Sequence, residues 1–596
     1  MLFLIIVTVM SKTCQEVLKS QLSTDLVPRI NKFRSNQGGL DSIKNYPECL
    51  KLPNSTFVTI LWKLGDFYNT HYGFCLPSHC TEEVSLHVIN SFISSNNYTN
   101  LLSDEGYDIC LIPNNEPKID FSRIFFLSSF VLILICGIIG TIINLIHEKS
   151  EFWKCFSVIE NTKKLLNFNE AYGDLQFFDG IRAISSFSIV FLHYIYLSIK
   201  TPSAHRSELL QQYKILSLLF FTSYSVDIFF FLAGVVMTIS TVQELNKREG
   251  KLNWIRHIVR RMTRYYPIYL FVVGLSCVLE GLPPPTSQLV PIHCEFSPTF
   301  QDWVKSLVFL HALFPSTSTI YMIFTWSIAY DFYFYLLSSV VLFVYYNKKT
   351  LGYLAILTLI TFSIIYTSII SYTHNLSPLF SDLLLNKREM NLVYFNPICR
   401  VSSYIVGNVF GLIYLASKKK EAKVSVAYEV KDGFGDIFER NCLRLCKSQQ
   451  VRTCFYVSGF GIFCFLCSWP AFLAISGKET VGFGADASFL GLQRVLIGLA
   501  CALLFLPSAL GHLNPFIEVL KIKAFILPSR LSYAVYLIHP FVISTFFMAG
   551  NHEKVWLNFE FIYGSMLTYA ISIIFGGVLH VFIESPILAL EKKLFR

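Results

Sequence analysis

Long apolar runs alternate with short polar stretches from residue 122 onwards. The hydrocarbon core of a bilayer requires about 20 mostly apolar residues in an α-helix, and about eleven runs approach that length. The pattern predicts an all-α polytopic membrane protein. The predicted spans are Ser122–Ile146, Arg182–Ile199, Ile215–Thr241, Tyr265–Leu282, Tyr321–Tyr346, Tyr353–Tyr372, Ile398–Ala416, Cys454–Ile475, Leu490–Leu510, Leu531–Ala549 and Phe559–Ile583.

The N-terminal part of the chain has a different pattern. Met1–Met10 is apolar but too short to cross a bilayer, and residues 1–13 are interpreted as a signal peptide. Residues 14–118 are polar and carry two glycosylation sequons, at Asn54 and Asn97. Such a segment is typical of a small, disulfide-bonded domain in an oxidising compartment. The disulfide candidates are Cys14, Cys49, Cys75, Cys80 and Cys110, with Cys294 in a later loop.

The charges fix a predicted orientation. The chain has a net charge of +9, and its basic residues cluster in loops between apolar runs. Nucleic-acid binding is not expected, because such proteins carry a basic face on a soluble module. The positive-inside rule instead places Lys247–Arg261, Lys418–Lys447 and the C-terminus in the cytosol. The N-terminal domain and a third sequon, Asn375, then face the lumen or the cell exterior, in the endoplasmic reticulum or the plasma membrane.

Two charged side chains share one face of the second predicted span. Arg182 and His193 are eleven residues apart, which is close to three helical turns, and the rise between them is ~16 Å. Arg182 is therefore expected at the cytosolic mouth and His193 near the midplane. Ionisable residues inside spans are expensive and are candidate functional groups.

Other carboxylates fall at comparable depths. Asp227 is expected level with His193, Asp331 lies in the fifth span, and Glu584 ends the last span. A neutral imidazole can remove a proton from a hydroxyl or amine, and a nearby carboxylate can orient it. The residues alone also allow a simple structural pair of His193 and Asp227, or a proton relay. The His539-Pro540 pair is interpreted as shaping the tenth span, in preference to a catalytic role.

A cytosolic basic segment precedes the fourth span. Arg261 and Arg264, at i and i+3, share a helix face, and guanidinium groups bind phosphates through paired donors. Orientation in the membrane and contact with anionic lipids explain the same charges. The cysteines and histidines have no zinc-like spacing, so neither a metal nor a bound cofactor is expected.

These features, in order, resemble the acyltransferase-3 family, and specifically its animal nose-resistant-to-fluoxetine branch. The N-terminal domain contributes a cysteine motif, and residues 175–596 carry the rest. The matching segments are Gly73-Phe-Cys75-Leu-Pro-Ser-His-Cys80, Phe178-Asp-Gly-Ile-Arg182 with His193, Ser225-Val-Asp-Ile-Phe-Phe-Phe-Leu-Ala-Gly234, Arg261-Met-Thr-Arg264, Thr325-Trp326-Ser-Ile-Ala-Tyr-Asp331, Leu531-Ser-Tyr-Ala-Val-Tyr-Leu-Ile-His539-Pro540 and Glu584-Ser-Pro586.

The resemblance implies an acyl transfer from acyl-CoA, as co-substrate, to a lipid or small-molecule acceptor. It implies that His193 is the base, Asp227 its orienting group and Arg182 a donor-binding or ordering group. Substrate contacts are expected from Arg261, Arg264, Trp326, Asp331 and Glu584. Membrane lipids are expected partners, and the sequence makes no prediction of oligomeric state.

The implied organisation is a signal peptide (1–13), an extracellular or lumenal domain (14–118), a first transmembrane helix (119–148), a cytosolic linker (149–174) and the acyltransferase-like domain (175–596). Two other functions stay open. A transporter would use His193 and Asp227 for proton coupling, although no inverted repeat of broken helices is evident. A catalytically inactive membrane regulator would keep the fold without turnover.

Overall fold

The structure is a computed structural model that describes residues 16–17, 49, 55–64, 68–77, 107–113, 121–147, 151–168, 173–200, 222–280, 300–313, 323–378, 390–421, 434–476, 480–547 and 558–594. The strands are β1 (Ser55–Leu64), β2 (Tyr68–Pro77) and β3 (Tyr107–Pro113). The helices are α1 (Phe121–Ile146), α2 (Glu151–Lys154), α3 (Val158–Leu165), α4 (Phe177–Lys200), α5 (Ser225–Lys247), α6 (Trp254–Glu280), α7 (Phe300–Leu307), α8 (Trp326–Asn347), α9 (Lys349–Thr373), α10 (Pro397–Glu421), α11 (Phe434–Leu445), α12 (Gln449–Ser476), α13 (Phe483–Ala509), α14 (Pro515–Val519), α15 (Ile526–Val542), α16 (Asn558–Leu579) and α17 (Ser585–Leu594).

The N-terminal domain contains a three-stranded antiparallel sheet in the order β2-β1-β3. In the backbone register, Phe57 of the central strand is paired with Cys75 of β2 and with Ile112 of β3. Cys75 is joined to Cys49 by a disulfide, which confirms a disulfide-bonded domain ahead of the membrane helices. The pairing also agrees with an oxidising compartment.

Several predicted positions in this domain have no described surroundings. Cys14, Cys80, Cys294, Asn54 and Asn97 lie outside the described residues. Cys110 lies in β3, where the backbone pairing alone is described. The third sequon residue, Asn375, follows α9, is exposed and has a left-handed backbone with φ of 51°.

Ten helices within the described ranges are long and apolar enough to cross a membrane. The chain is therefore an integral, multi-pass membrane protein. The fourth predicted span, Tyr265–Leu282, falls largely on α6, which has 27 residues and whose first half carries several arginines. Helix α6 is not among the ten, so a count of eleven spans stays a prediction.

The membrane domain exposes many large apolar side chains and buries several charged ones inside its hydrophobic core. On α1, the side chains of Ile124, Leu132 and Leu145 are more than half exposed, whereas Asp227 and Arg400 are fully buried inside the bundle. This distribution suits a lipid surround, which gives apolar side chains a favourable environment and makes outward-facing charges costly.

Helices α5 and α10 pack backbone against backbone. A methyl group on Gly234 of α5 would overlap the carbonyl of Tyr404, and one on Gly407 of α10 would overlap the carbonyl of Phe231. Small residues at membrane helix interfaces allow this close approach. The contact fixes the part of α5 that carries Asp227.

Helix α5 starts later than the apolar run predicts. The expected span was Ile215–Thr241, but the α-helix runs from Ser225 to Lys247, after a short 3₁₀ turn. Asp227 consequently lies in the first turn of its helix instead of its centre. Asp331 also lies near the start of its helix, in the second turn of α8.

Candidate active site

A cavity of about 530 Å³ lies among α4, α5, α6, α8 and α15. Helix α4 lines it with Asp179, Arg182, Ser186 and Ile189, whose spacing of three and four residues describes one helix face. His193 continues this face one turn beyond Ile189, a rise of about 6 Å. His193 does not line the cavity itself, so it lies just past the cavity's inner end.

The inner end of the cavity is built from hydroxyl groups and aromatic rings. Ser327 of α8 and Tyr536 of α15 line it, and their hydroxyl oxygens are 2.7 Å apart. The Tyr536 hydroxyl donates to the carbonyl of Phe324, so the Ser327 hydroxyl donates to Tyr536. This network lies beside His193, whose ring centroid is 6.3 Å from that of Tyr536.

His193 is enclosed by another histidine and by aromatic rings. Its Nδ1 is 2.7 Å from Nε2 of His539, and the two rings are nearly parallel, at 14°. Phe324 stacks on His193 with ring centroids 3.8 Å apart. His193 is 7 % exposed and His539 is fully buried. The arrangement is a rigid imidazole pair at the end of the cavity.

Asp227 bonds to two arginines instead of to His193. Its Oδ2 accepts from Nη1 of Arg400 at 2.7 Å and also from Nη1 of Arg494. Arg400 is further held between the rings of Trp326 and Tyr394, 5.0 and 4.4 Å from their centroids. The cluster is buried and carries two positive charges against one negative. Trp326, expected to contact substrate, here contacts an arginine.

Arg261 and Asp331, both predicted to bind substrate, form an ion pair with each other. The Tyr265 hydroxyl donates to the same carboxylate oxygen at 2.6 Å. All three residues line the cavity. The carboxylate of Asp331 therefore largely balances the charge of Arg261. The same ion pair holds α6 against α8.

Positive charge is in excess along the cavity. Five cationic side chains and three carboxylates line it. Arg264 and Lys164 are exposed, while Nη1 of Arg530 donates to the carbonyl of Leu165 at 2.8 Å, at the end of α3. Arg182 lies 3.9 Å from Asp179 on its own helix. Once the Arg261–Asp331 pair is set aside, the remaining groups favour an anionic ligand.

Glu584 belongs to a π-helical turn, His580–Glu584, between α16 and α17. Its Oε2 is 2.8 Å from Nδ1 of His580, and both side chains line the cavity. The turn is held by the buried Asn161 of α3, whose amide donates to the Val581 carbonyl at 3.3 Å and whose oxygen accepts from Ser585 at 2.9 Å. π-Turns of this kind occur frequently at functional sites.

The structure thus brings together most of the predicted residues along one cavity, with His193 at its inner end and Arg182, Arg264 and Glu584 lining it. Sequence reasoning missed the partners. Arg400 and Arg494 are charged residues inside predicted spans, a recognised functional signal. His539 had no comparable signal beyond its motif. No cluster of His, Cys, Asp and Glu suited to a metal ion occurs in the part of the chain that the structure describes.

Comparisons with known proteins agree with this picture. A family model described as an acyltransferase domain matches residues 175–580. "Nose resistant to fluoxetine protein 6" of Caenorhabditis elegans is 23% identical over 486 residues, which are 75% of this chain and 54% of that protein. The chain therefore spans about half the length of this relative. No solved structure matches the chain.

Proposed function

The chain belongs to the acyltransferase-3 family, and we propose that it transfers an acyl group from acyl-CoA to a hydroxyl or amine of a lipid or small-molecule acceptor. The observation that carries this proposal is the face of α4 on which Arg182 lines a cation-rich cavity and His193 follows at its inner end. A base and an anion-binding entrance are thereby joined by one rigid helix.

The cavity suits a donor that is charged at one end and apolar at the other. Phosphate groups would bind among Arg264, Lys164, Arg182 and Arg530, because guanidinium and ammonium groups form strong charge-assisted hydrogen bonds with phosphate oxygens. The apolar side chains of α5 that line the cavity, Phe229 and Phe230 among them, would cover the chain that leads to the thioester.

The reaction would take place at the inner end. The imidazole of His193 removes the proton of the acceptor hydroxyl or amine, and the acceptor atom attacks the thioester carbonyl. The carbon–sulfur bond then breaks, and the departing thiolate takes the proton back from the imidazolium. A base in this position contributes about 10²- to 10⁴-fold to a rate.

The orientation is part of the proposal. The disulfide Cys49–Cys75 supports an oxidising compartment for the N-terminal domain. The basic loops and the cation-rich end of the cavity would then face the cytosol, where acyl-CoA is available. The membrane would be that of the endoplasmic reticulum or the cell surface.

The test is an assay of the purified full-length protein in lipid nanodiscs. Wild type and His193→Gln are incubated with labelled acetyl-CoA and longer acyl-CoAs, and both donor binding and loss of the acyl group from CoA are followed. We expect His193→Gln to bind donor normally and to lose turnover by about 10²-fold or more. The matched control is His147→Gln, an exposed histidine at the end of α1.

Three outcomes would reject the proposal. Equal turnover by wild type and His193→Gln would remove the base. Absence of donor binding and of turnover for every acyl-CoA would favour a regulator. Uptake of a lipid or small molecule into vesicles without acyl transfer would instead favour a transporter.

A further inference from the structure

The hydrogen bond between His193 and His539 has a defined donor and a defined acceptor. We infer that His539 is a positioning residue that sets the tautomer of His193, so that Nε2 of His193 is the nitrogen that accepts the proton. The inference deepens the proposed acyl transfer and rests on it.

The backbone before Pro540 contains a carbonyl oxygen without its usual helical partner. Pro540 has no N–H, so the carbonyl of Tyr536, four residues earlier, lacks its usual helical partner. Nδ1 of His539 is 3.2 Å from the carbonyl oxygen of Val535, and the Tyr536 carbonyl also lies against the ring. A carbonyl oxygen can only accept a hydrogen bond, so Nδ1 of His539 carries the hydrogen.

The other ring nitrogen of His539, Nε2, is in contact with His193. A neutral imidazole has one N–H and one lone pair, so Nε2 of His539 is an acceptor. This nitrogen is 2.7 Å from Nδ1 of His193. The hydrogen of that bond must therefore come from His193, which fixes His193 as the Nδ1–H tautomer.

The tautomer of His193 decides which of its two ring nitrogens is basic. With its Nδ1 protonated and engaged, its Nε2 keeps the lone pair and is the basic nitrogen. When Nε2 takes a proton, the Nδ1–H bond to His539 remains, so no reorganisation of the pair is needed. Packing on Phe324, at 3.8 Å between centroids, prevents the ring from turning over.

A histidine partner differs electrically from the carboxylate that commonly orients a catalytic histidine. His539 orients the imidazole without adding a negative charge. The nearest described carboxylate on α5, that of Asp227, is bound to Arg400 and Arg494. A neutral pair of this kind suits a site enclosed within a membrane domain.

The tautomer can be measured without any assay of activity. Protein labelled with ¹³C and ¹⁵N in its 14 histidines is placed in lipid bilayers and examined by solid-state NMR, and the His193→Gln variant identifies the signals of His193. We expect the Nδ1–H tautomer in wild type and the Nε2–H tautomer in His539→Leu. The same tautomer in both proteins would overturn the inference.

Kinetics with acyl-CoA test the catalytic consequence. We expect His539→Leu to lower kcat by about 10- to 100-fold with little change in KM, since orientation of the base acts on the chemical step. His539→Gln, whose amide oxygen can replace Nε2 as acceptor, should recover much of that loss. An unchanged kcat in His539→Leu would refute the role. If wild type turns over no donor, the proposed function fails, while the NMR result still decides the tautomer.

Discussion

The cluster of Asp227, Arg400 and Arg494 predicts an asymmetric response to mutation. Asp227→Asn leaves two buried guanidinium groups without a counter-charge. Removing one partner of a buried ion pair typically costs about 3–5 kcal/mol. We therefore expect Asp227→Asn to lower the free energy of unfolding by about that amount.

Arg494→Met should cost far less, although it removes a residue that is almost as deeply buried. Both arginine nitrogens bond to the same oxygen of Asp227, so they lie within about 5 Å of each other. At an effective dielectric of about 20, their repulsion is about 3 kcal/mol. Its relief offsets the loss of one hydrogen bond to a charged group, about 1.5–3 kcal/mol, and leaves a neutral pair of Asp227 and Arg400.

The measurement is unfolding of the purified variants in mixed micelles with increasing detergent, followed by tryptophan fluorescence. The control is Asp174→Asn, whose ion pair with Lys418 is 39% exposed on both sides and should matter by less than about 1 kcal/mol. The charge argument would be refuted if Asp227→Asn were no less stable than Arg494→Met. The double variant should be no less stable than Asp227→Asn alone.

Three further predictions follow from other contacts. Arg264→Gln should weaken acyl-CoA binding about 3- to 10-fold, less so at high salt. Lys163→Gln changes a side chain that is 70% exposed, pairs with Glu160 and does not line the cavity, so it should leave binding unchanged in isothermal titration. Asn161→Ala should lower the free energy of unfolding by about 1–3 kcal/mol, because the carbonyls of the π-turn and of the preceding loop lose a buried partner; an unchanged thermal midpoint would contradict this. Burial raises the pKa of the Cys446 thiol to about 11, so its labelling by maleimide should be slow at pH 7 and rise about tenfold per pH unit up to pH 9; mass spectrometry of the peptide measures it, and a rate independent of pH would be inconsistent with the raised pKa.

The helices and the α4 face could be predicted because they depend on local periodicity. Eleven residues between Arg182 and His193 place both on one side of any α-helix. The sheet in the N-terminal domain was not predicted, since its strands lack a regular alternation of polar and apolar residues. The late start of α5 was also missed, because an apolar run does not reveal where within it the helix begins.

The partners could not be predicted for a different reason. Asp227 is 173 residues from Arg400 and 267 from Arg494, and His193 is 346 from His539. Such pairs depend on how the helices pack, which one sequence does not specify. Asp227 was expected to orient His193 because the predicted spans place its carboxylate at the depth of the imidazole. The buried arginines were visible in the sequence, and their charges would have offered Asp227 other partners.

The exposed surface of α1 tolerates more amino-acid substitutions than its packed side does. Most positions of α1 need only be apolar, but Gly137 and Gly140 lie directly against Phe582 and Phe156 and have no room for a side chain. The family match begins at residue 175, after this helix. No residue that lines the cavity lies on α1, so substitutions on the exposed side of this helix leave the cavity lining unaltered.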